Sequence, residues 1–165
     1  MSEFRAIQTR YKGYRFRSRL EARWAVFFDS LGMKWEYEKQ GYALPDVGNY
    51  LPDFWLPDLG QWIEIKGALP ALHWMTTEEE EKVWSLSAHS RCAAWIFFGL
   101  PDFETPYASF DLRPIPLLPN HVELTRGIGI VDWCPPPLCN SDYLGAAIDA
   151  AKSARFEFGE KGDSR

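Results

Sequence analysis

Between Ser18 and Leu31 the apolar residues Leu20, Trp24, Phe27, Phe28 and Leu31 recur at helical spacing, with charged residues between them. Ser18 suits the N-cap, Glu21 follows three residues later, and Gly32 supplies a stop, so a helix is expected here. The period then changes. Met33 to Glu38 alternates Trp35 and Tyr37 with charged residues, and Tyr50 to Leu56 is rich in rings and bounded by proline, so both read as strands. Asp58-Leu59-Gly60-Gln61 reads as a turn, which brings Trp62 to Lys66 back as the second arm of a hairpin. A second helix is expected from about Thr77 to Ser90, opened by Thr76 or Thr77 and four consecutive glutamates that suit the positive helix end. Ala93 to Phe98 reads as a buried strand ending at Gly99. Strand-like pieces lie near Tyr107 to Leu112 and Gly127 to Trp133, the proline runs at Pro114–Pro119 and Pro135–Pro137 read as loops, and a C-terminal helix is expected at about 141–158. This order predicts an α/β fold with a central mixed sheet flanked by helices, in a single domain over residues 1–165.

Composition adds limits. The 165 residues, 46% of them hydrophobic, suffice for one core, and the eight Trp, seven Tyr and eleven Phe serve first as core and strand residues. A net charge of -5 argues against a protein that coats nucleic acid indiscriminately. The distribution is uneven: residues 1–28 carry Arg5, Arg10, Lys12, Arg15, Arg17, Arg19 and Arg23 against Glu3 and Glu21, leaving the remainder acidic. Such a basic arm either contacts phosphate along one edge or is a solvated face without a partner. No apolar stretch has the length of a signal peptide or membrane span, and three cysteines are no secreted disulfide framework, so a soluble cytoplasmic protein is expected.

The chemistry-bearing residues fall on the first hairpin. Glu64 and Lys66, two apart in a strand, leave by one face while Ile63 and Ile65 leave by the other, and Asp53 on the preceding arm comes near Glu64. Two adjacent carboxylates repel unless a cation lies between them, and magnesium is the natural one. It would polarise a phosphoryl oxygen and activate a bound water, with Lys66 providing positive charge for the transition state. Alternatively these residues are the solvated face of a hairpin. Glu21 bears on that choice, because it borders the apolar stripe of its helix, beside Phe28 and one turn from Arg17. Arg17 either steadies that carboxylate or binds a phosphate.

The stretches Tyr14-Arg15-Phe16-Arg17-Ser18-Arg19-Leu20-Glu21-Ala22, Tyr50-Leu51-Pro52-Asp53-Phe54-Trp55-Leu56-Pro57 and Trp62-Ile63-Glu64-Ile65-Lys66-Gly67 together resemble the PD-(D/E)XK nuclease superfamily, in the form found in phage-type endonucleases. Junction-resolving enzymes and transposon-encoded end-cleaving subunits look similar here. The resemblance implies a restriction-endonuclease-like core and a metal-dependent DNA endonuclease leaving 5′-phosphate and 3′-hydroxyl ends, with branched or nicked DNA among its candidate substrates. It implies Asp53, Glu64 and the Ile65 carbonyl as ligands of Mg2+, for which Mn2+ would substitute, Glu21 as holder of a second metal or its water, and Lys66 as the catalytic lysine. Lys12, Arg15, Arg17, Arg19, Arg23 and Arg155 are the candidate DNA contacts, with Lys152 beside Arg155; the last two are equally readable as ordinary helix charges. A homodimer is a natural expectation, since cutting two strands takes two active sites, although no residue demonstrates one. Cys134 and Cys139 resemble a zinc-module remnant, but there is no second cysteine pair and His121 is the only nearby histidine, so the four ligands zinc needs are missing and zinc is not expected. His73, His89 and His121 have no serine or cysteine pairing that suggests a hydrolase triad. The competing reading is a noncatalytic module that keeps this fold to bind nucleic acid or protein.

Overall fold

The structure is a computed structural model that describes residues 7–68, 77–115, 118–130, 133, 138 and 140–156. The chain opens with a hairpin of β1 (Thr9–Tyr11) and β2 (Tyr14–Phe16), followed by α1 (Arg19–Ser30) and β3 (Glu36–Tyr37). A small hairpin of β4 (Tyr42–Leu44) and β5 (Gly48–Tyr50) precedes β6 (Phe54–Leu56) and β7 (Gln61–Lys66). Then come α2 (Glu78–Ser90), β8 (Ala93–Phe98), β9 (Pro106–Ile115), β10 (Leu118–Ile128) and α3 (Ser141–Ser153).

Six strands form a mixed sheet in the order β10-β9-β8-β7-β6-β3. Only β7 and β8 run parallel, and α2 lies in the crossover that such a connection requires. α1 and α3 pack together in one apolar cluster with Phe54, Ile63, Ile65 and Phe97. α2 and β4 share the second cluster with Trp62, Ala94, Ile96 and Phe98. Residues 62 to 65 are consequently all buried, which is the pattern of a strand covered on both faces.

The helix starts follow local chemistry. Ser18 caps α1 by accepting from the Glu21 N–H, and Thr77 rather than Thr76 caps α2 in a complete capping box with Glu80. Glu80 also receives a bidentate contact from Arg126, at 2.7 and 2.9 Å, which ties the start of α2 to the sheet.

Several expected boundaries move. The strand read over Met33 to Glu38 is reduced to Glu36–Tyr37, and that over Tyr50 to Leu56 is broken between β5 and β6, where Pro52 has no N–H to give a ladder. The piece read at Gly127 to Trp133 lies too late, since β10 ends at Ile128. Pro114 and Pro119, read as loop, are inside strands. β8 pairs with β9 only as far as Phe110, so the prolines sit in a projecting two-stranded ribbon, with a register shift between Leu118 and His121. α3 ends at Ser153 instead of 158 because Arg23 of α1 donates to the Ala151 carbonyl at 3.0 Å and also to that of Lys152, satisfying the last turn from outside the helix. Phe156 still reaches the first cluster, from the segment beyond. Among the described residues no helix is long and apolar enough to cross a membrane. The run Pro135–Pro137, Cys134, Cys139 and His73 lie outside the described residues, as does the side chain of His121; His89 packs edge-on against Tyr42 near the end of α2.

Candidate active site

The ladder between β6 and β7 ends at the pair Phe54 and Ile63. One step further, Pro52 carries the chain away, and the Asp53 side chain takes over the role of a strand neighbour: its Oδ2 accepts from the Ile65 N–H at 2.8 Å. That exchange fixes the Asp53 carboxylate beside β7, 2% exposed. Glu64, 5% exposed, accepts from the Tyr50 hydroxyl at 2.7 Å through Oε2 and meets the Lys66 ammonium at 2.8 Å through Oε1. The Asp53 N–H also approaches Glu64 Oε2, at 3.4 Å. Glu64 and Lys66 share a face of β7, as their spacing requires, but Glu64 itself is buried there, with the β5 tyrosine bonded to it.

α1 brings the third carboxylate. Glu21 accepts from Ser18 Oγ at 2.6 Å, from the Arg17 N–H at 3.1 Å and from the Tyr37 hydroxyl at 2.5 Å. It therefore organises the helix start instead of closing a reciprocal capping box. Arg17 links the two halves of the site. Its guanidinium pairs with Asp53 Oδ1, meets Glu38 Oε1 at 2.9 Å, and approaches Glu21 Oε2 at 4.0 Å. Glu38 reaches it from a left-handed backbone, φ 46°, while its N–H bonds the Asp53 carbonyl at 2.8 Å.

The electrostatics follow from this crowding. Burial, then the charges of Glu64 and Glu21, push the Asp53 carboxyl well above the usual carboxylate range, and Arg17 with the Ile65 N–H only partly opposes them. Burial works against a charged Lys66, but the charges of Glu64, Asp53 and Glu79 outweigh it and raise its pKa, so Lys66 is firmly an ammonium. It can supply charge; it cannot accept a proton. Burial and the neighbouring Glu64 raise the Tyr50 hydroxyl, which keeps it a hydrogen-bond donor. Among the described residues no group of three or more His, Cys, Asp or Glu side chains is arranged to hold a metal ion. The donors that do converge, Asp53 and Glu64, are hard oxygens under mutual repulsion. One or two carboxylates completed by water and phosphate suit a Mg2+-type ion, so the residues fit such a group chemically.

A cleft of about 340 Å³ opens on this cluster, lined in part by Arg17, Tyr50, Leu51, Glu64, Lys66 and Lys82. It lies by the carboxyl end of β7, next to the one parallel strand pair, where open α/β sheets leave room for ligands. Of the candidate DNA contacts, only Arg17 belongs to this cluster. Lys12 pairs with Asp29, 2.9 Å away, Arg23 closes α3, and Arg15 bonds Gln8 on the first hairpin at 3.0 Å. Arg19 has an interaction within the protein, Lys152 pairs with Asp102, and Arg155 is exposed beyond α3. The basic arm is thus largely spent on internal partners.

Tyr37, Glu38, Tyr50, Glu79 and Lys82 join the site without having been singled out in the sequence. Tyr50 lies three residues before Asp53, and that closeness is the one local signal that marked it; the others depend on packing. No protein-family model matches this chain, and no curated protein or solved structure matches it either.

Proposed function

We propose that this protein is a metal-dependent phosphodiesterase acting on DNA, built on a restriction-endonuclease-like core. The observation that carries the reading is the pair of buried carboxylates, Asp53 and Glu64, crowded at the end of β7 with a permanent ammonium, Lys66, at an open cleft. A divalent ion bound there would polarise the phosphoryl oxygen and activate a water. Asp53, Glu64 and the Ile65 backbone would hold it. Lys66 stabilises negative charge on the phosphoryl group as it develops. Arg17, about half exposed, exchanges Asp53 for a substrate phosphate while keeping Glu38 as its anchor. Glu21 holds the Arg17 backbone and Tyr37, and so positions the α1 side of the cleft.

The direct test is incubation with linear, supercoiled, single-stranded and four-way-junction DNA, with and without magnesium or manganese. Metal-dependent cutting with 5′-phosphate products is expected. One observation favours a second reading: Asp53 and Glu64 are both fully engaged by protein groups, as in a noncatalytic binding module. If nothing is cut while DNA binding persists, and Asp53→Ala or Glu64→Ala leaves binding unchanged, that module reading replaces the nuclease.

Tyr50→Phe tests the support of Glu64. Without the hydroxyl, Glu64 Oε2 retains only the long Asp53 N–H contact. Manganese affinity, measured by titration calorimetry, should fall by about 10-fold, the usual scale for losing a hydrogen bond that orients a ligand. An unchanged affinity would mean that Tyr50 is packing alone.

A further inference from the structure

Among the described residues three cations line the cleft, and they are not equivalent. Arg17 is paired with Asp53 and Glu38, and Lys66 with Glu64, so both have their carboxylate partners at the site itself. Lys82 has its carboxylate partner elsewhere. It pairs at 2.5 Å with Glu78, which does not line the cleft and whose side chain is 75% exposed, against 29% for Lys82. An i,i+4 pair to an exposed carboxylate is weak and readily surrendered to a better anion. The Lys82 side chain therefore lines the cleft and lies largely against the protein, while its ammonium is held by a replaceable partner outside the cleft.

Glu79, three residues before Lys82 and on the same flank of α2, also lines the cleft, and its charge is felt by Lys66. The flank of α2 that carries Lys82 is thus part of the same electrostatic site. A strand lying in the cleft would bring one phosphate to Glu64 and Lys66, and its neighbouring phosphate would meet a separate cation. Resting on the phosphodiesterase reading, we propose that Lys82 is a substrate-binding residue that grips a nucleic-acid backbone phosphate adjacent to the one being cleaved, releasing Glu78 as it does so. The contact reads charge and position, not base sequence.

The test compares wild type with Lys82→Ala, Lys82→Arg and Glu78→Gln. Binding of short fluorescein-labelled duplex and single-stranded DNA is followed by anisotropy in calcium over a salt series, and cleavage by steady-state rates in magnesium. Lys82→Ala should raise both Kd and KM about 5-fold, leave kcat nearly unchanged, and reduce the salt slope by about one. Lys82→Arg should restore binding, and Glu78→Gln should bind at least as tightly as wild type. Circular dichroism melting checks that each variant is folded. If wild type cleaves while Lys82→Ala keeps wild-type KM and salt slope, or loses kcat alone, the grip is refuted and the phosphodiesterase stands. If wild type neither binds nor cuts any of these DNAs, the phosphodiesterase reading falls and the grip with it.

Discussion

Lys66→Ala is expected to lower metal-dependent cleavage by about 10²- to 10³-fold while leaving magnesium or manganese affinity at or above wild type. On the phosphodiesterase reading the two effects separate, because Lys66 would act as a charge beside the reacting group and not as a ligand. Its ammonium sits 2.8 Å from Glu64 Oε1, so its removal frees that oxygen for a cation while withdrawing the positive charge available to the transition state. The same removal leaves Glu64 buried with one neutral donor, Tyr50, and a long contact to the Asp53 N–H, and the metal-free variant should melt earlier than wild type. Added manganese should recover much of that loss, since a bound ion replaces the missing charge. Single-turnover cleavage at saturating metal, together with metal titration, checks both parts. A loss of metal affinity as large as that of an Asp53 variant would remove the distinction between ligand and charge donor.

Asp53→Asn should abolish detectable cleavage, by about a thousand-fold or more, and weaken metal binding sharply. Against that loss, the metal-free protein should become more stable at neutral pH. The sign follows from proton linkage. Because the folded carboxyl is raised well above its ordinary 3.8, the native state holds a proton that the unfolded chain has already released. The stabilising contribution of that bound proton is complete below about 3.8 and disappears as pH rises through the folded value. Once that proton is lost, the repulsion between Asp53 and Glu64 is only partly opposed by Arg17 and the Ile65 N–H. Asparagine removes that repulsion yet still offers an oxygen to the Ile65 N–H, and Arg17 keeps Glu38. Thermal melts in a chelator from acid to neutral pH should fall steeply for wild type and less so for Asp53→Asn. Parallel curves would show that Asp53 is not the titrating group.

Where a local rule decides an element, the chain was readable before its structure. Ser18 with the stripe from Leu20 to Leu31 specifies α1, the threonine followed by four glutamates specifies α2, and the apolar run Ala93 to Phe98 is β8 to the residue. Boundaries failed where a distant group intervened. α3 stops at Ser153 because Arg23, more than a hundred residues away in sequence, takes its last carbonyls, and no feature of residues 141–158 announces that donor. The ribbon of β9 and β10 accepts Pro114 and Pro119 because β8 has ended beside it, which is a property of the sheet and not of the prolines. In the site, the step of two between Glu64 and Lys66 is legible because strand geometry alone puts them on one face.

Asp53, Glu64 and Lys66 opened the case for phosphodiester chemistry, with Glu21 as support, and their types and spacings are properties of the sequence by itself. It also determined the mixed α/β character of the fold, since the alternation of helical and strand periods requires no knowledge of neighbours. Only the tertiary structure decided what those residues face. It buries Glu64 under Tyr50, turns Asp53 into a neighbour for Ile65 after Pro52 breaks the ladder, and makes Glu21 the organiser of the α1 start through Tyr37. It pairs Lys12 with Asp29, turns Arg23 to the end of α3, and brings Lys82 to the cleft. The division has one physical cause. Periodicity and capping act over a single turn or strand step, whereas burial and charge pairing depend on which distant segments the packed sheet brings within a few ångströms.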